Sequence, residues 1–146
     1  MLIDQDPQSG AASGSDHAAD HRPLKVLVVD DEPGMAKVIA ATAGQLGFET
    51  QEVHDANAAT QAFIAFRPDI LVLDLIMPGK DGLDVLNEVL VIDPTVRLVL
   101  ISGHGQTYLR LGDALSKFHR DGGAEMLSKP FRASALREVL QRGAAG

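Results

Sequence analysis

A doubly wound α/β fold, with a parallel sheet covered by helices on both faces, is predicted by three features of the 146-residue sequence. Short, β-branched apolar runs alternate with segments whose apolar residues recur at helical spacing, in the order βαβαβαβαβα. Two of these runs end in acid, Leu24–Asp30 and Asp69–Asp74. From Leu24 onward the chain is long enough for one buried core and too short for two ordinary domains.

The elements follow in order. Residues 1–23 are rich in Ser, Gly, Ala and Asp, with no large apolar residue between Ile3 and Leu24. Such a segment cannot offset its ordering entropy, so a flexible N-terminal tail is expected there. Leu24–Asp30 (LKVLVVD) is the first strand. Pro33–Gly47 is a helix with Met35, Val38, Ile39, Thr42 and Leu46 at apolar spacing and Gly47 as its stop. Phe48–Val53 is a second strand, and Asp55 is the N-cap of an Ala-rich helix reaching Phe66 and ended by Pro68. Asp69–Asp74 (DILVLD) is a buried-type strand, Leu83–Ile92 a helix, and Val96–Ser102 (VRLVLIS) a fourth strand. Helix-like sequence follows up to Gly122-Gly123. Ala124–Ser128 is then a short fifth strand and Phe131–Arg142 a last amphipathic helix, leaving 143–146 as a short tail.

Composition narrows the function. Apolar residues make up 45% and charged residues 23%, ordinary values for a globular chain. The absence of cysteine removes disulfide scaffolds, thiol catalysis and zinc ribbons. A net charge of −7 has the wrong sign for binding nucleic acid through overall charge. No apolar run approaches the roughly 20 residues that span a bilayer, and a cytoplasmic protein is the expectation. The charge is uneven: residues 1–96 carry five basic and 16 acidic side chains, residues 97–146 eight and four. Arg110, Lys117, Arg120, Arg132, Arg137 and Arg142 fall in the last two helical segments, as a landing surface for an acidic partner or simply a solvated face.

Right-handed crossovers and five strands favour the flavodoxin-like order 2-1-3-4-5. In such a sheet ligands sit outside the carboxyl ends of the strands, where the winding reverses. Strand 1 ends in Asp30-Asp31-Glu32, strand 3 in Asp74, strand 4 in Ser102, and strand 5 is followed by Lys129-Pro130. Carboxylates gathered in a partly desolvated pocket raise one another's pKa or recruit a cation. Oxygen ligands without His or Cys favour Mg²⁺. A carboxylate can also accept a phosphoryl group as nucleophile, helped by a metal, an ammonium and a hydroxyl. Asp74, Lys129 and Ser102 have the right chemistry.

Four segments, VLVVDDEP, DILVLDLIMPGKDGLDVL, LVLISGHG and MLSKPF, resemble in order and near-spacing the blocks of the response-regulator receiver domain of two-component signalling. The resemblance covers residues 24 to about 142. It implies that Asp74 is the phosphoacceptor and that Asp30 and Asp31 form the acidic pair holding Mg²⁺ with Asp74 and the backbone carbonyl of Ile76. It further implies Ser102 as the switch hydroxyl, Lys129 as the phosphoryl-contacting lysine, and a cis bond before Pro130. Two departures stand out. Met126 takes the place of the family's usual switch aromatic, and the segment 103–123 is longer than the norm by roughly one helical turn of about 3.6 residues.

Each residue also has a plainer reading. Asp30, Asp31 and Glu32 precede Pro33 and a helix, where an N-cap and dipole role would suffice. Ser102 can bond nearby backbone, Lys129 can be a surface lysine, and His104 an exposed loop residue. Met77-Pro78-Gly79 and Asp81-Gly82 read as turn chemistry. Gly103 and Gly105 do not make a dinucleotide fingerprint.

The expected function is a stand-alone phosphoacceptor switch, with no output domain, that takes a phosphoryl group from a histidine kinase or phosphotransfer protein and signals to a partner protein. It is expected to be a monomer or weak homodimer through the helix 4–strand 5–helix 5 face, and not an enzyme beyond its own phosphorylation and dephosphorylation. The alternative is a constitutive interaction module that leaves the site unused. A phosphohydrolase is disfavoured, because Asp74-Leu75-Ile76 lacks a second acid two residues on.

Overall fold

The computed structural model describes residues 22–103, 111, 114, 115, 117, 119 and 123–145. Five strands form one parallel sheet: β1 (Lys25–Val29), β2 (Glu49–Val53), β3 (Ile70–Asp74), β4 (Arg97–Ser102) and β5 (Ala124–Ser128). The helices are α1 (Pro33–Gln45), α2 (Ala56–Phe66), α3 (Gly82–Ile92) and α4 (Ala133–Ala145). Leu111, Ala114, Leu115 and Lys117 are also helical, and the other sequence expectations for 104–110, His104 among them, lie outside the described residues. The same holds for residues 1–21 of the tail expected over 1–23. The sheet order is β2-β1-β3-β4-β5, the doubly wound arrangement expected.

Alternation along the buried strands sorts their side chains between two faces. Val26, Val28, Ile70, Val72, Val99 and Ile101 pack on one face against α1 and α4, through Ile39, Leu136 and Leu140. Leu27, Leu71, Leu73, Leu98 and Leu100 pack on the other against α2 and α3, through Phe63, Leu86 and Val89. Leu111 and Ala114 join this second face.

Two details of the helices differ from the sequence reading. Val38, expected in the apolar stripe of α1, is 56% exposed, while Ala36, Ile39, Ala40 and Ala43 are buried. Small alanines let the helix approach the sheet closely, which rotates the bulkier Val38 outward. Second, α4 starts at Ala133 and runs to Ala145, taking in most of the segment read as a C-terminal tail.

The helix ends follow their capping chemistry. Gly47, at φ 97°, closes α1: the N–H of Phe48 bonds the Ala43 carbonyl at 3.1 Å and that of Gly47 bonds Gly44 at 3.0 Å. This is a Schellman ending, with Phe48 packed against the core cluster that includes Ala43. Asp55 and Asp81 accept from Asn57 and Leu83, each at 2.9 Å, as N-caps of α2 and α3. At the end of α2, Arg67 turns into the left-handed region at φ 52° before Pro68, which disfavours the helical conformation in its predecessor.

Candidate functional site

Parallel ladders carry each site residue to the same edge of the sheet. Beyond the strands themselves, the Asp30 N–H bonds Val53 at 3.0 Å, the Leu75 N–H bonds Ile101 at 2.8 Å, and the Lys129 N–H bonds Ser102 at 2.9 Å. The backbones that present Asp30, Asp74 and Lys129 are therefore each clamped to a neighbouring strand. Their side chains need little further entropy loss to meet.

They do meet. Asp31, Glu32, Asp74, Ile76, Gly103 and Lys129 line an open cleft of about 480 Å³ at the carboxyl ends of the strands. Asp30 lies beneath it, fully buried, and Asp74 is 1% exposed. Lys129 Nζ donates to Asp74 Oδ2 at 3.1 Å and stands 3.6 Å from Glu32 Oε1. The other Asp74 oxygen, Oδ1, accepts from the Ile76 N–H at 2.9 Å. Asp30 Oδ1 likewise accepts from the Glu32 N–H at 2.9 Å.

Burial dominates the electrostatics of Asp30. It pushes the carboxyl up to about 6, against the Glu32 N–H bond, which lowers it; the nearby Asp74 charge adds to the rise. For Lys129, burial pulls downward, but the hydrogen bond and charge of Asp74, with Asp30 and Glu32, outweigh it and hold the ammonium above its ordinary value.

The donor set fits a hard divalent cation. Asp30, Asp31 and Asp74 each offer a carboxylate oxygen, and these atoms lie within 4.8 Å of one another. Asp30 Oδ2 is buried with no protein partner among the described residues. An orphaned, desolvated carboxylate oxygen beside two more carboxylates is costly unless a cation completes it. All-oxygen ligation matches Mg²⁺.

Of the residues singled out in the sequence, Asp30, Asp31, Asp74, Ile76 and Lys129 are thus assembled around one cleft. Ser102 ends β4 beside it, 1% exposed and on the same sheet face as Leu98 and Leu100, while its neighbour Gly103 lines the cleft. The Lys129–Pro130 bond is cis. Met126 pairs with Leu100 across β4 and β5 and packs partly buried on the α2–α3 face. Arg132 and Arg137 are exposed, but Arg142 is engaged in a two-pronged pair with Glu125 at 2.9 and 3.1 Å.

From sequence, Asp81-Gly82 reads as turn chemistry that fixes the loop carrying Ile76. In the fold Gly82 lies directly against the end of β3. A Cβ there would lie 2.6 Å from the Asp74 carbonyl oxygen and 2.6 Å from Leu75 Cα. Nothing local in the sequence distinguishes this glycine from that of an ordinary Asp-Gly turn.

The comparisons with known proteins agree with this geometry. The family model described as "Response regulator receiver domain" matches residues 26–141. The chain is 32% identical over 122 residues to the chemotaxis protein CheY of Listeria monocytogenes, covering 83% of this chain and 98% of CheY. It is 30% identical over 126 residues to the transcriptional regulatory protein TrcR of Mycobacterium tuberculosis, covering 86% of this chain but spanning only 46% of TrcR. The crystal structure of the receiver domain of NtrX from Brucella abortus superposes with a TM-score of 0.69 at 31% identity, covering 82% of this chain and 98% of the other. A sheet wound in this order, ending in an acidic cleft and matched by the family model over residues 26–141, makes this chain a member of the response-regulator receiver-domain family of two-component signalling.

Proposed function

We propose that the protein is a Mg²⁺-dependent phosphoacceptor switch in which Asp74 receives a phosphoryl group from a histidine kinase or phosphotransfer protein. Receiver domains are signalling switches that catalyse only their own phosphorylation and dephosphorylation, and the same limit applies here. The observation that carries the assignment to Asp74 is its position: a carboxylate at the cleft floor, one oxygen held by Lys129 and the other by a backbone N–H, with two more acids in reach.

Each residue has a task in that chemistry. The two hydrogen bonds fix the rotation of the Asp74 carboxylate, so an oxygen meets phosphorus without a search for orientation. Mg²⁺ held by Asp30, Asp31, Asp74 and the Ile76 carbonyl would neutralise charge on the transferred group's oxygens. Lys129 follows the new charge from the carboxylate to the phosphoryl oxygens. Ser102, joined through its carbonyl to the Lys129 N–H, supplies a hydroxyl whose movement shifts the β4–β5 region between two populations.

The remaining parts of the proposal concern context. The action is cytoplasmic; among the described residues no helix is long and apolar enough to cross a membrane. The output is an effector protein rather than direct nucleic-acid contact, consistent with the net charge of −7. Arg132, just before α4, and Arg137, on α4, are both exposed and available to such a partner or to a weak homodimer.

The test is labelling. Wild-type protein with Mg²⁺ and a radioactive phosphodonor is expected to incorporate an acid-stable, base-labile label, and Asp74→Asn to incorporate none. Undiminished labelling of that variant overturns the assignment. A second reading, a constitutive interaction module, draws on Met126 at the usual aromatic position; it would be supported by the lack of any spectral change on adding Mg²⁺ with beryllofluoride.

A further inference from the structure

Glu32 sits at the N-cap position of α1, yet its side chain makes no capping hydrogen bond. Its backbone is held at both ends, the N–H by Asp30 Oδ1 at 2.9 Å and the carbonyl by the Ala36 N–H at 3.0 Å. From this fixed root the side chain lines the cleft, 64% exposed, and stands 3.6 Å from Lys129 Nζ. It does not belong to the Asp30, Asp31 and Asp74 group that can share a cation. The mouth of an anion-accepting site therefore carries an extra acid, and that acid shares the one lysine paired with Asp74.

We propose that Glu32 is a specificity-determining residue that selects phosphodonors by charge, disfavouring small dianionic donors relative to donors that bear less net negative charge. This rests on the phosphoacceptor reading of Asp74. Two effects act in the same direction. The carboxylate repels the incoming group in proportion to that group's charge, and it competes with phosphoryl oxygens for the Lys129 ammonium. Interactions across several ångströms of water-filled cleft scale with the donor's charge, so one unit of donor charge changes the discrimination roughly threefold at low salt.

The step itself is the same for either donor. With acetyl phosphate, an Asp74 oxygen forms the bond to phosphorus, the bond from phosphorus to the acetyl oxygen breaks, and acetate leaves with the electron pair. With phosphoramidate the phosphorus–nitrogen bond breaks and ammonia leaves. At neutral pH acetyl phosphate is a dianion and phosphoramidate carries a net single negative charge. Their leaving-group chemistry differs but is the same in wild type and variant, so the change in their rate ratio on substitution reports the donor's charge.

The experiment measures phosphorylation rates of the full chain with both donors at saturating Mg²⁺ and low ionic strength. Glu32→Gln is expected to raise the acetyl phosphate to phosphoramidate rate ratio about threefold. Raising the salt should shrink that gain, and Glu32→Asp, which keeps the charge, should leave the ratio near wild type. The proposal is overturned if the two rates move together in Glu32→Gln, if the ratio falls, or if its rise is indifferent to salt. Failure of the underlying reading looks different: neither donor then labels the wild-type protein, or Asp74→Asn labels as well as wild type, and the proposal falls with it.

Discussion

Replacing Gly82 by alanine tests how the site is built more directly than removing a charged group. The added methyl carbon would lie 2.6 Å from the Asp74 carbonyl oxygen, 2.6 Å from Leu75 Cα and 2.9 Å from the Leu75 carbonyl carbon. All three are backbone atoms, so no flexible side chain can swing aside. Relief requires α3 to withdraw from the end of β3 or the loop carrying Ile76 to shift. Overpacking of this kind costs about 1–3 kcal/mol, against a gain of up to about 1 kcal/mol from alanine's better helix propensity. The net expectation is destabilisation by about 1–2 kcal/mol, a fall in Tm of roughly 3–10 °C for a domain of this size. Gly34 is the internal control: it lies in the first turn of α1, and a Cβ there meets nothing within 4 Å. Gly34→Ala should be neutral or stabilising by up to about 1 kcal/mol. Thermal and urea denaturation of both variants, with Mg²⁺ affinity measured in parallel, provides the assay. Gly82→Ala should also bind Mg²⁺ more weakly, because the displaced loop carries the Ile76 carbonyl. If Gly82→Ala is as stable as Gly34→Ala and binds Mg²⁺ as wild type does, the close approach is not a constraint on the site and the reasoning is wrong.

Two further predictions concern pH and backbone strain. The Asp30 carboxyl rises from an ordinary 3.8 to about 6 on burial, so between those values the folded state binds more protons than the unfolded one. In metal-free protein the contribution of this group to stability should therefore fall, by up to about 3 kcal/mol, as pH rises from about 4 to above 6. The difference in stability between wild type and Asp30→Asn in urea titrations should change with pH by that amount, and a difference independent of pH would assign the effect elsewhere. Arg67 holds a left-handed conformation at φ 52° at the end of α2, so Arg67→Gly should raise stability by about 0.5–1 kcal/mol. Calorimetry showing an unchanged or lower Tm would mean that the arginine side chain contributes more than its backbone costs.

The order of elements and their caps were legible in the chain because the forces behind them act over a few residues. Continuous apolar runs such as Ile70–Leu73, the stop at Gly47, and the N-cap Asp55 all depend on neighbours within a turn, whereas Asp81, read as turn chemistry, proves to cap α3. Winding rules then sufficed to send Asp30, Asp74 and Lys129 to one edge, since parallel strands with right-handed crossovers leave few alternatives. What only the tertiary structure decided were relations between groups remote in sequence. Whether Val38 or Ala36 faces the sheet depends on how near α1 can come to Val26 and Val28. Gly82 differs from any other turn glycine only because the end of β3 lies against it. The sharing of Lys129 between Asp74 and Glu32, at 3.1 and 3.6 Å, needs the carboxyl ends of three strands to converge. Local sequence sets dihedral preferences and hydrophobic period, whereas distance, desolvation and charge coupling exist only once the core has brought distant segments into contact.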